Sequence, residues 1–83
     1  MSEAVARLAI EVALRIIEQL AQSEYETAAS TFHLELKAMP HVQDILERNH
    51  TGNYPSKERD QLLAQIAELD RLFRQSEFKT GHQ

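Results

Sequence analysis

The chain has no cysteine, no tryptophan, and only two glycines and two prolines among 83 residues. Without cysteine there can be no disulfide and no thiolate metal site, and nothing is implied about redox compartment. Two glycines are too few for a phosphate cradle, and no Gly-x-Ser-x-Gly elbow surrounds Ser23, Ser30, Ser56 or Ser76. Clustered basic charge is missing as well. Nine Lys and Arg are interleaved with thirteen Asp and Glu, giving a net charge of −4. A nucleic-acid surface needs a positive patch, so no nucleic-acid partner is expected. The most apolar stretch is interrupted by Glu3, Arg7, Glu11 and Arg15, which argues against both a membrane span and a signal peptide. Asn49-His50-Thr51 has the form of a glycosylation acceptor, but with no secretory signal it reads as a chance match. A cytoplasmic, bacterial protein is the expectation.

What is present is a globular composition, 42% hydrophobic and 27% charged, and a length that suits a single helical domain over residues 1–83. A chain of this size buries roughly 60% of its unfolded surface. Docking onto a second copy or a partner would add useful burial.

Residues 3–22 form the clearest helix. Ser2 is placed to cap it, and Glu3 suits the positive end of its dipole. Glu3, Arg7, Glu11, Arg15 and Gln19 recur every fourth position and trace one polar ridge. Val5, Leu8, Ile10, Val12, Leu14, Ile16, Ile17 and Leu20 cover most of the remaining circumference. That arc is wider than one small core requires. Ile10, Leu14 and Ile17 lie along one flank, and Val5, Val12 and Ile16 along the other. One flank is expected to be core and the other an interface.

A second helix is expected over residues 24–49, broken or kinked near Pro40. Ser23 stands three residues before Glu26, the spacing of a capping box. Tyr25, Ala29, Phe32, Leu36 and Met39 form its apolar line, and Val42, Ile45 and Leu46 continue that phase beyond Pro40. Pro40 either kinks this helix or opens a short separate one. His50 to Ser56 reads as a loop, with Ser56 placed to cap the last helix. That helix, over 57–76, carries Leu62, Ile66, Leu69 and Phe73 in alternating steps of four and three, flanked by Leu63 and Leu72. Residues 79–83 are expected to fray. The fold class is all-α: a small antiparallel three-helix bundle, a helical hairpin plus a third helix.

Chemistry-bearing constellations are sparse. His33, His41, His50 and His82 form no HExxH pair, and His41 with Asp44 is only a two-ligand spacing. The one Glu-x-x-His spacing, Glu47 to His50, falls short of the two that a di-iron bundle needs. No catalytic, cofactor or metal residue is expected, and no small-molecule substrate. Tyr25, Phe32 and Met39 each suit a core position taken singly. Together with the broad arc of residues 5–20 they exceed what three short helices need, and excess apolar surface marks an interface. The candidate partner-binding residues are therefore Ile10, Leu14, Ile17, Tyr25 and Phe32.

The stretch LAQSEYETAASTFHLEL resembles the FliT-type flagellar export chaperones, small all-helical bacterial proteins. In these a first helix ends in a Leu-Ala turn and the next opens with an aromatic flanked by acids. Leu20, Ala21, Tyr25 and Glu26 match that arrangement, and Leu34 and Leu36 fall in the leucine-containing stretch beyond it. Residues 61–73 are similar in style to the family's later helix. The resemblance implies a cytoplasmic chaperone that binds a filament-cap protein and parts of the export apparatus. The family's further C-terminal helix, which modulates partner access, has no counterpart before Gln83. Two readings compete with it. One is a homo-oligomeric structural or adaptor protein, a possible homodimer, whose first helix self-associates. The other, weaker, is a helical enzyme or metal protein.

Overall fold

The first helix, α1, spans Glu3–Ala21 and opens as its sequence suggests. Ser2 is extended, and its hydroxyl accepts the Val5 amide at 3.2 Å. The end of α1 departs from expectation. Ser23 takes a left-handed conformation with φ of 60°. The Glu24 amide then returns to the Gln19 carbonyl at 2.8 Å, and the Ser23 amide to that of Leu20 at 3.1 Å. These two bonds make a Schellman motif, which satisfies the last carbonyls of α1. Ser23 thus ends the first helix and does not cap the second. The residue before α2 is Glu24, whose side chain makes no capping bond.

The computed structural model describes residues 2–50 and 52–81; Thr51, in the expected loop, lies outside them. It contains α1, α2 (Tyr25–Thr31), a π segment (Phe32–Leu36), α3 (Pro40–Arg48) and α4 (Ser56–Gly81), with no strand among the described residues. The all-α class holds, with four helices in place of the expected three. The expected helix over 24–49 is divided twice. In the π segment the Lys37 amide bonds back five residues, to the Phe32 carbonyl at 2.7 Å. Met39 is then extended, as a residue before proline prefers, and Pro40 occupies the opening turn of α3. Asn49 ends α3 in the left-handed region at φ 52°, a conformation asparagine tolerates better than most residues. At the other end of the chain, α4 continues through Gly81, beyond the expected end at 76. Positions 82 and 83 lie outside the described residues.

Arg7 and Ile10 of α1 lie beside Lys57, Glu58 and Gln61 of α4. The two helices start at the same end, and α1 makes its most extensive contact with α4, so they run in the same direction. Between them in sequence, α2 and the π segment return along α1, where Glu35 takes Arg15 at 2.8 and 3.0 Å. The molecule is 44 Å long and about 20 Å across, and α4, at about 39 Å, spans most of that length.

The centre of the core is an alanine seam. Ala6, Ala9 and Ala13 are fully buried and continue into Ile16 and Leu20. These positions fall on one side of α1, and small residues there let neighbouring helices approach closely. The large apolar residues are displaced to the margins of the seam. Ile10, Val12 and Ile16 from both of the expected flanks are buried, while Val5, Leu8 and Leu14 are exposed. The division of α1 into one core flank and one interface flank is therefore corrected. From α4, Leu62 and Leu69 enter the core, with Ile66, Leu72 and Phe73 packed partly against it. No helix among the described residues is long and apolar enough to cross a membrane.

Candidate functional site

Phe32, first residue of the π segment, and Phe73, near the end of α4, meet edge to face with centroids 5.9 Å apart. Neither is fully buried. On one side of this pair lies a cavity of about 210 Å³ lined by Phe32, Leu46, Ile66, Leu69, Asp70 and Phe73. On the other lies one of about 260 Å³ lined by Ala29, Phe32, His33, Phe73 and Glu77. The phenyl pair is a wall common to both, so the two cavities adjoin; together they are called the groove and its two lobes, bordered by α2, the π segment, α3 and α4. Leu69, at 2% exposure, is shared with the core beneath.

The groove follows from local sequence. The five-residue bond of the π segment inserts an extra residue into the turn, carrying Leu36 fully inside while Phe32 stays at the margin. The break at Met39–Pro40 separates α3 from the π segment, and Leu46 of α3 is the wall it supplies. On α4, Ile66 and Phe73 sit one heptad apart on the outer edge of the seam whose inner edge is Leu62 and Leu69. Polar groups nearby are satisfied internally: the Thr31 hydroxyl donates to the Thr27 carbonyl at 2.9 Å, and the Ser76 hydroxyl to that of Phe73 at 2.9 Å. The surface offered is mostly apolar and aromatic, with His33, Asp70 and Glu77 among its lining, and is suited to burying an amphipathic face.

Of the residues expected to bind a partner, only Phe32 lines this groove. Ile10 is core, at 6% exposure. Leu14 is exposed on α1, and Ile17 is packed partly against the core. Tyr25 is half-buried, and its hydroxyl donates to Ser23 Oγ at 3.3 Å. It braces the turn that Ser23 makes. The structure does not bring these five together. Phe73, Ile66 and Leu46 are the groove residues that sequence reasoning placed elsewhere, as seam or continuing helix. The available signal was the helical spacing of Phe32–Leu36 and Ile66–Leu69–Phe73, which does not distinguish a groove wall from core.

A second cluster, near the start of α1 and α4, is closed. Tyr54 is 5% exposed, and its hydroxyl donates to the Ala6 carbonyl at 3.1 Å. Burial, assisted by the Glu58 carboxylate, pushes its pKa up to about 12. Glu58 is itself buried, with Arg7 3.9 Å away, and Arg7 also reaches Glu3 at 3.5 Å. The His41 ring lies 5.5 Å from that of Tyr54. Its buried Nε2 has no hydrogen-bond partner, and desolvation lowers its pKa. Asp44, three residues from His41, pairs with Arg48 at 3.4 Å. No group of three or more His, Cys, Asp or Glu converges among the described residues. Compared with known proteins, the chain matches no family model, no curated protein sequence and no solved structure.

Proposed function

We propose that this chain is a protein-binding helical module that shields an amphipathic helical segment of a client protein, in the manner of an export chaperone. The observation that carries this reading is the two-lobed groove around Phe32 and Phe73, an apolar channel with half-buried aromatics at its centre. Aromatic anchors in a channel between helices are the usual receptor for an amphipathic helix. The resemblance of residues 20–36 to the FliT-type flagellar export chaperones adds a client class, segments bound before export. Self-association through α1 has less support, because Ile10, Val12 and Ile16 are taken up by the core. What α1 leaves outside is limited: Val5 and Leu8 are neighbours on one side, and Leu14 lies on the other.

The test is an amide chemical-shift titration with a model amphipathic peptide carrying leucines at i, i+3 and i+7. Shifts concentrated around residues 29–33, 46 and 66–77 are expected. No shifts at all, or shifts confined to Val5, Leu8 and Leu14, would remove the reading.

A further inference from the structure

Resting on that groove reading, we infer that the occupant is a basic amphipathic helix, its apolar anchors flanked by Lys or Arg. The first argument is shape. On α4 the groove runs from Ile66 to Glu77, about 16 Å along the helix, which is three turns. That length receives anchors at i, i+3 or i+4, i+7 and i+11 of a partner helix.

The second argument is charge. Ile66, Asp70, Phe73 and Glu77 succeed one another at spacings of four, three and four, so they form a single ridge along the groove's edge. The ridge alternates apolar and acidic, and both acids contribute to the lining. Among the described residues, no Lys or Arg lines either lobe. Both acids have partners: Glu77 is engaged, and Asp70 pairs with Arg74 at 3.0 Å, where both side chains are largely exposed, at 60% and 78%. An exposed pair of this kind holds weakly and exchanges readily for a partner's cation. The whole chain carries a net charge of −4, so its longer-range field also favours a positive partner. A client helix with acidic flanks would meet like charge on both counts.

The experiment uses the full chain and two fluorescent synthetic peptides with identical leucine spacing, one flanked by lysines and the other by glutamates. At low salt the lysine peptide should bind about tenfold more tightly, and the gap should narrow as salt is raised. Replacing both acids, Asp70→Lys with Glu77→Lys, should invert the order. If that pair of changes lowers helicity, Asp70→Asn alone should reduce the preference without inverting it. Equal affinity of the two peptides, or an order indifferent to these substitutions, overturns the charge inference while the groove reading stands. If neither peptide binds, the groove reading falls and this inference with it.

Discussion

The two ends of the molecule treat aromatic side chains in opposite ways. At the end where α1 and α4 begin, Tyr54 is enclosed, its hydroxyl satisfied by Ala6 and its ring covered by His41. Toward the other end of α4, Phe32 and Phe73 touch each other and leave space on both sides. The first arrangement fixes where α4 starts relative to α1. The second leaves apolar area partly open. Under the proposed function, stability and recognition are concentrated in different places, and substitutions should separate them.

The sharpest separation uses charge. Ile16→Glu puts a carboxylate at a fully buried position on the alanine seam, and the protein should lose its cooperative fold by circular dichroism. Ile10→Glu, at the seam's margin but still buried, should do the same. Phe73→Glu, at the groove, should keep its helicity and lose the model peptide. If Phe73→Glu unfolds as completely as Ile16→Glu, the groove is core and the two ends do not differ.

Next in size is Leu69→Ala. Leu69 is shared between core and groove floor, and its truncation should cost about 2–4 kcal/mol in denaturant unfolding. The closed end should then show itself in a pH dependence. Tyr54→Phe should cost about 1 kcal/mol at neutral pH, the worth of one buried hydrogen bond. Because the Tyr54 pKa is raised in the folded state, its stabilisation is present below pH 10 and lost as pH rises through about 12. His41 acts at the acid side. Its folded pKa lies below 6.5, so its contribution is present above that pH and lost as pH falls through the lowered value. Melting temperature should fall at both extremes in the wild type. The alkaline fall should flatten in Tyr54→Phe, and the acid fall in His41→Gln.

The smallest effect is a gain. Ser23 holds φ of 60° in the hairpin between α1 and α2, a position where glycine is unstrained. Ser23→Gly should raise stability by about 0.5–1 kcal/mol. A loss there would mean that the Tyr25–Ser23 bond matters more than the backbone strain.

These elements differ in how far the sequence revealed them. The α4 seam was legible because Leu62, Ile66, Leu69 and Phe73 are large and regularly spaced. Pro40 was legible because its ring dictates local geometry whatever surrounds it. The alanine seam was not, since counting large apolar residues around α1 weights Val5, Leu8 and Leu14 above Ala6, Ala9 and Ala13. Close helix approach inverts that weighting. Ser23 was misread because a serine three residues before a glutamate satisfies the capping pattern equally well when its backbone ends the preceding helix. Tyr54 was hidden by its neighbours: Gly52, Asn53 and Pro55 announce a loop, and nothing local says that the loop's aromatic turns inward. The groove was least legible of all. Phe32 and Phe73 have the spacing of core residues, and only the packed structure shows that both stay partly exposed.

The Tyr54–Ala6 bond joins positions 48 apart, so its formation must offset a loop-closure entropy of about 3 kcal/mol. It therefore forms only when α4 is already in place. The first turn of α1, which in an isolated helix would open and reclose rapidly, becomes subject to the same event that releases α4. Amide hydrogen exchange at Ala9 and Ile10 should consequently track global unfolding and slow to the rate of the innermost residues, whereas amides around the π segment exchange through smaller, local openings.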